Sequence, residues 1–147
     1  MGKAELAWLI KLLSLEDIAS SFVSRLKIQK AVFLLKHLGV EAFNSYNFQL
    51  YLRGPYSPNL ASDYYNLQGI KAIPLDLDRQ KTELLKWFTS HDVEWLEVAS
   101  SIIEIKDRYP DLKNGSLYSL LRLSKPWVTE DAFKNTLKEL RKQRLIG

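Results

Sequence analysis

The side chains that most often perform catalysis are sparse in this sequence. His37 and His91 are its two histidines, and it contains no cysteine. Two histidines without a companion cluster make a poor metal-ligand set, and the lack of cysteine excludes a thiolate zinc site and a cysteine nucleophile. The sequence also lacks a Gly-rich phosphate loop and a nucleophile elbow. These patterns predict a non-enzymatic protein with no metal site and no cofactor.

The clearest recognition chemistry lies in the stretch Arg53-Gly54-Pro55-Tyr56-Ser57-Pro58. Gly, Pro and Ser are common turn residues, and a Ser followed by Pro is typical of a helix start. One interpretation is a rigid turn that docks Tyr56 and begins a helix. The other is that Arg53 and the amides at the helix start accept an anionic group from a partner. From the sequence, both interpretations stay open.

Two further sets of residues extend this candidate surface. Lys27 and Lys30 lie upstream on a predicted helix, where they form either a solvated basic face or part of a contact face. Trp127 follows Pro126 and is either an anchor at the edge of the core or an exposed interface residue. The predicted protein-binding residues are therefore Arg53, Gly54, Pro55, Tyr56, Ser57, Lys27, Lys30 and Trp127.

Hydrophobic periodicity predicts that mainly helical structure positions these residues. Helices are expected over residues 3–13 and 22–38, from Ser57 to about Gly69, and then after Asp78, near Asp92, around 117–121 and after Thr129. An alternating, aromatic-rich segment over 46–52 is expected to form a strand that Gly54-Pro55 ends, and 70–75 is expected to pair with it as a second strand. Tyr109-Pro110 and Asn114-Gly115 are expected to form a turn. The predicted fold is one mainly α domain over residues 1–147 with a small β-element.

The net charge of +4 comes from the C-terminal part of the chain. Residues 134–147 contain Glu139 as their one acidic residue and five basic residues, namely Lys134, Lys138, Arg141, Lys142 and Arg144. A basic helix of this kind contacts phosphates, an acidic protein surface or only water. The apolar run Leu6–Ile10 is too short and too interrupted to span a membrane, so we expect a cytoplasmic protein.

Three motifs together give a family resemblance. Leu26-Lys27-Ile28-Gln29-Lys30 lies in a helix, Arg53-Gly54-Pro55-Tyr56-Ser57-Pro58 precedes another, and Leu121-Arg122-Leu123-Ser124 runs into Pro126-Trp127. This arrangement resembles the Panacea domain family of SocA-like antitoxins, and it looks closer still to small stand-alone proteins of the YwgA type. The chain departs from the family pattern because it lacks the threonine-histidine that usually stands before the Pro-Trp pair. The resemblance covers residues 22–127.

The resemblance implies a helical domain with a small sheet that acts through contacts with a partner protein, as toxin–antitoxin pairs do. The main alternative is a DNA-binding regulator, because a helix from Ser57 followed by a strand to Leu75 has the local order of a winged helix. The predicted helix after Pro58 contains no Lys or Arg before Gly69. Phosphate contacts would therefore fall to the terminal residues Lys134, Lys138, Arg141, Lys142 and Arg144. Whether the chain forms a homodimer is left open.

Overall fold

Seven α-helices, one short β-hairpin and a single 3₁₀ turn at Glu41–Phe43 make up the secondary structure of residues 2–147, which are the residues that the computed structural model describes. The helices are α1 (Lys3–Leu12), α2 (Phe22–His37), α3 (Pro58–Tyr64), α4 (Arg79–Thr89), α5 (Val93–Arg108), α6 (Asn114–Ser124) and α7 (Glu130–Lys142). The hairpin consists of β1 (Gln49–Tyr51) and β2 (Gly54–Tyr56). This architecture confirms the predicted mainly α fold with a small β-element. Over the described residues, none of the helices is long and apolar enough to cross a membrane.

Helices α2 and α5 form the centre of the fold. Ile28, Val32 and Leu35 of α2 and Leu96 and Ile102 of α5 are fully buried. Helix α2 contacts α3, α4, α5 and the hairpin, while α5 contacts α2, α6, α7 and the hairpin. Burial of one such aliphatic side chain stabilises the folded state by roughly 1.5–3 kcal/mol. The hairpin therefore lies against the two central helices of the fold.

Side-chain caps explain where five of the helices begin. Each cap has an oxygen that accepts a hydrogen bond from the backbone N–H three residues later, and this bond satisfies an amide that has no partner within the helix. The capping residues are Ser21 for α2, Ser57 for α3, Asp78 for α4, Asp92 for α5 and Thr129 for α7. The predicted helix starts at Ser57, Asp78 and Thr129 are thereby confirmed.

The cap of α7 provides a measurable test of this local chemistry. Thr129 Oγ1 accepts a hydrogen bond from Ala132 N at 3.1 Å, and α7 buries Phe133, Leu137 and Leu140 against the core. We expect Thr129→Ala to lower the free energy of unfolding by about 1 kcal/mol. Urea denaturation followed by circular dichroism measures the change. Thr129→Ser keeps the acceptor and should stay close to wild type, and an equal loss in both variants would contradict the capping role.

The β-hairpin differs from the predicted pair of strands. The structure places Tyr51 opposite Gly54 and Leu50 opposite Pro55, so the turn lies at Leu52 and Arg53. Gly54 has φ +91°, a conformation that a glycine adopts without the steric cost of a Cβ. The prediction that Gly54-Pro55 ends the strand was therefore wrong. This glycine instead lets the chain reverse so that residues 54–56 become the second strand.

Three other local predictions were also wrong. Residues 70–75 form no strand and are irregular, with Ile73 N donating a hydrogen bond to Ala4 O at 3.0 Å. Helix α3 ends at Tyr64 rather than near Gly69, and Asn114-Gly115 forms the start of α6 rather than a turn. Because no strand follows α3 within residues 65–78, the order of elements that suggested a winged helix is not found there.

Candidate functional site

The hairpin rests on helix α5 through a close backbone approach at Gly54. A Cβ added to Gly54 would lie 2.9 Å from Ser100 Oγ, 3.0 Å from Ser101 Oγ and 3.2 Å from Glu97 O. The two serine hydroxyls are themselves fixed, since Ser100 Oγ donates to Leu96 O and Ser101 Oγ donates to Glu97 O, both at 2.6 Å. Only a residue without a side chain fits between the hairpin and this face of α5.

Three buried polar side chains bond to the backbone of the hairpin and of the helix start that follows. Lys30 Nζ donates to Pro55 O at 2.8 Å, and Lys125 Nζ donates to Leu52 O at 2.8 Å. Gln29 makes a reciprocal pair with Ser57, because its Nε2 donates to Ser57 O at 3.0 Å and its Oε1 accepts from Ser57 N at 2.9 Å. Buried bonds of this kind fix a backbone firmly, since any opening would leave polar groups without partners.

Burial changes the electrostatics of the two lysines. Removal of the Lys30 amine from water lowers its pKa to about 7, and the nearby Glu97 carboxylate offsets only part of this effect. The positive charges of Lys125 and Arg53 lower the Lys30 pKa further. Burial also lowers the pKa of Lys125, again with Glu97 opposing the shift. Glu97 is thus the central acidic group beneath the hairpin, and its Oε1 accepts a bond from Arg53 Nη1 at 3.2 Å.

The outer face of the hairpin is exposed and mostly hydrophobic. Leu52 at the turn has 75% of its surface accessible, and Leu50, Tyr51 and Tyr56 are also exposed. The rings of Tyr51 and Tyr56 pack edge to face with their centroids 5.6 Å apart. The Arg53 guanidinium lies over the Phe22 ring at 4.7 Å from its centroid. We call Leu50, Tyr51, Leu52, Arg53 and Tyr56 the hairpin face.

A groove continues the hairpin face toward α5 and α6. Its volume is about 510 Å³, and the residues that line it include Leu50, Tyr51 and Leu52 of the hairpin together with Tyr109, Leu120 and Leu123. Leu123 and Tyr109 are 81% and 56% exposed. Large contiguous apolar patches are uncommon on monomeric proteins and mark interaction sites when they occur.

The structure divides the predicted protein-binding residues into two groups. Arg53 and Tyr56 are exposed, Trp127 is half-exposed and Lys27 is half-buried. The other predicted residues are buried, namely Gly54, Pro55, Ser57 and Lys30. The picture of Lys30 as part of an exposed basic face was wrong, because its amine bonds to Pro55 O inside the protein. These buried residues position the hairpin, and the side chains of Arg53 and Tyr56 are exposed on it.

Two predicted regions lie apart from the hairpin face. Trp127 lines a separate groove of about 320 Å³ together with Trp95 and Val98. The terminal basic residues Lys134, Lys138, Arg141, Lys142 and Arg144 are all exposed. Within this set, Lys134 pairs with Glu130 at 2.9 Å. Helix α3, which the DNA-binding alternative would place in a DNA groove, carries no basic residue. The exposed basic surface lies on α7 and the residues after it.

Several residues that hold the hairpin in place were not among the predicted site residues. Gln29, Glu97, Ser100, Ser101 and Lys125 were not selected, although all of them contact the hairpin or its neighbours. One signal was available for Gln29, because apolar residues surround much of α2 and a helix that is apolar on most sides is buried. A polar residue in such a helix needs a partner inside the protein. Lys125 carried no comparable signal, since it lies at the end of a helix.

Both histidines contact neighbouring groups of the protein. His37 Nδ1 lies 2.8 Å from Asp107 Oδ2, and its Nε2 lies 3.0 Å from Leu145 O. His91 stacks on Trp95 with ring centroids 3.6 Å apart. Among the described residues, no group of three or more His, Asp or Glu side chains is arranged to hold a metal ion.

Comparison of the chain with protein-family models, curated proteins and solved structures found no match. The resemblance to the Panacea family therefore stays a prediction that rests on the motif residues themselves. The structure adds that the two most specific motifs touch each other, because Gln29 and Lys30 of the helix motif bond to Ser57 and Pro55 of the turn motif. A physical reason thus exists for the two motifs to occur together in one chain.

Proposed function

We propose that this protein is a non-enzymatic interaction module that binds a partner protein through the hairpin face. One observation carries the proposal: buried Gln29, Lys30 and Lys125 fix the hairpin from inside, while its outer side chains are exposed and hydrophobic. A backbone fixed before binding loses little conformational entropy when a partner docks, and this favours affinity.

The composition of the hairpin face fits a protein interface. Tyr and Arg are enriched among the residues that contribute most to binding energy, and the face contains Tyr51, Tyr56 and Arg53. Leu52 and the neighbouring apolar groove would supply the hydrophobic centre of the contact. Lys27 and Trp127 belong to the proposal as additional contact residues. By the family resemblance, the protein neutralises its partner, as antitoxins do, or serves it as an adaptor. A cytoplasmic location is part of the same proposal.

Substitution of Leu52 tests the proposal without disturbing the buried support. Leu52→Glu places a charge at the most exposed point of the hairpin, where desolvation of that charge would oppose docking of an apolar partner surface. We expect the amount of partner that this variant retains to fall by about tenfold or more, as for substitution of a residue at the centre of an interface. The measurement is a pull-down of the tagged protein from native lysate with nuclease added, quantified by mass spectrometry.

Ile73→Glu is the matched control for this experiment. Ile73 is also an exposed aliphatic residue, 52% accessible, but it lies on the irregular segment that bonds to α1. A protein retained by wild type and by Ile73→Glu but lost from Leu52→Glu supports the proposal. Equal retention by all three, or equal loss from both variants, would remove the hairpin face as the binding surface.

DNA binding is the second candidate, and the observation that favours it is the exposed basic surface of Lys134, Lys138, Arg141, Lys142 and Arg144. The same pull-down without nuclease separates the two candidates. Recovery of genomic DNA that falls steeply as salt is raised would favour a nucleic-acid-binding role, because phosphate contacts release counterions. A protein partner held by the apolar hairpin face should depend only weakly on salt.

A further inference from the structure

A cavity beside the hairpin face has a different chemical character from the apolar groove. It lies between α2, the hairpin and α3, and its volume is about 190 Å³. Its lining includes Arg25 and Lys30 of α2 and Arg53 of the turn, and no aspartate or glutamate is among the described residues that line it. The guanidinium groups of Arg25 and Arg53 on the wall of one small cavity favour an anionic occupant.

The guanidinium groups of this cavity are held in place by other contacts. Arg25 Nη1 donates to Ile18 O at 3.1 Å and to Ala19 O at 3.3 Å. Arg53 Nη1 bonds to Glu97 Oε1 at 3.2 Å. Within the described residues, these contacts use Nη1 of each group, and a guanidinium carries further N–H donors on its other nitrogens. Planar pairs of such donors match the two oxygens of a carboxylate.

Aromatic rings form much of the remaining wall. Phe22 lies beneath the Arg53 guanidinium, and Tyr56 and Tyr65 also line the cavity. Rings of this kind pack against a flat apolar body, and tyrosine hydroxyls donate hydrogen bonds. A closed cavity of about 150 Å³ holds one benzene ring, so the observed volume accommodates a ring with one carboxylate but not a drug-sized ligand.

We propose that this cavity is a binding site for a single carboxylate group carried on an apolar body about the size of one amino-acid side chain. The carboxylate would pair with Arg53 and Arg25, and the body would lie among Phe22, Tyr56 and Tyr65. Its source is either a free small acid or an acidic side chain of a bound protein. The cavity shares Arg53 and Tyr56 with the hairpin face. The site still goes beyond the proposed interaction at Leu52, because a free acid would bind there in the absence of any partner.

Benzoate and benzamide are the matched probes for this site. They share size and shape, and only benzoate carries a negative charge. Titration of the ¹⁵N-labelled protein, followed by two-dimensional NMR, should show benzoate shifting the amides of Phe22, Tyr56 and Tyr65 while benzamide leaves them unmoved. Arg53→Gln and Arg25→Gln should each weaken benzoate binding by about tenfold or more, because a hydrogen bond between two charged groups is lost.

Arg79→Gln is the control variant, since it removes the same charge from a side chain that is 92% exposed and lies on α4. Two blocked peptides, acetyl-Gly-Glu-Gly-amide and its Gln counterpart, distinguish the source of the carboxylate. Shifts at the same amides with the Glu peptide alone support an acidic side chain as the source, and shifts with benzoate support a free acid as well.

Several results would overturn the proposal. They are equal binding of benzoate and benzamide, an equal effect of Arg79→Gln and Arg53→Gln, and shifts that lie away from the cavity. Absence of binding by both benzoate and the Glu peptide to the wild-type protein would also overturn it. Benzoate and benzamide are compared on the wild-type protein alone, so this part of the test does not depend on how well the variants fold. Failure here leaves the Leu52→Glu result untouched, so the two proposals fail separately.

Discussion

Gly54→Ala is expected to lower the free energy of unfolding by about 3 kcal/mol, through two separate effects. The first is backbone strain, because φ at Gly54 is +91° and an L-residue in the left-handed region costs roughly 1–2 kcal/mol. The second is overlap, because the new Cβ would lie 2.9 Å from Ser100 Oγ and 3.2 Å from Glu97 O. Forced repacking of a tight interior site costs about 1–3 kcal/mol. Urea denaturation measures the total.

Gly39→Ala separates the two effects. Gly39 follows the end of α2 with φ +88°, and no atom lies within 4 Å of an added Cβ. This variant should therefore show the strain alone, about 1–2 kcal/mol. The difference between the variants measures how closely the hairpin lies on α5. If Gly54→Ala cost no more than Gly39→Ala, the close approach at Ser100 and Ser101 would not be a real constraint.

Lys30→Met is expected to change how stability depends on pH. Burial lowers the pKa of Lys30 from its ordinary value of 10.5 to about 7 in the folded protein. Below about pH 7 the amine is charged in both the folded and the unfolded protein, so the full cost of burying a charge lowers the stability. Between about pH 7 and the ordinary pKa of 10.5, the unfolded chain holds one more proton than the folded protein. The wild-type free energy of unfolding therefore gains up to about 1.4 kcal/mol per pH unit from this group as pH rises above 7.

The measurement is urea denaturation of both proteins at about pH 7, 8 and 9, a range within which linkage makes the difference grow. The free energy of unfolding of wild type minus that of Lys30→Met should rise by about 2 kcal/mol or more over this range. Lys27→Met is the matched control, because it removes an amine from a half-buried position on the same helix. A constant difference between wild type and Lys30→Met across pH would contradict a buried, neutral amine.

Local patterns were sufficient to predict most of the helices. The apolar spacing in α1, α2 and α5 and the caps at Ser57, Asp78 and Thr129 are properties of neighbouring residues, so they can be read from the sequence. The hairpin was less predictable. Gly54 and Pro55 are turn residues in most settings, and only the register of Tyr51 opposite Gly54 shows that they form a strand.

The candidate site shows the same division. The sequence identified the turn at Arg53–Ser57 and the helix with Lys27 and Lys30 as important, and it gave no means to tell which side chains face water. The pKa of Lys30 depends on burial and on the charges of Glu97 and Lys125, which lie far along the chain and are brought close only by folding. The supporting bond from Lys125 to Leu52 O spans 73 residues.

By itself, the sequence determined the helical class, the helix starts and the presence of a special turn, because these depend on propensity and on hydrogen bonds between residues that are close in the chain. Tertiary structure decided which of the motif residues support the hairpin and which are exposed. The physical reason is that exposure and pKa depend on atoms from α2, α5 and the end of α6 packed around the turn, and no local pattern encodes that packing.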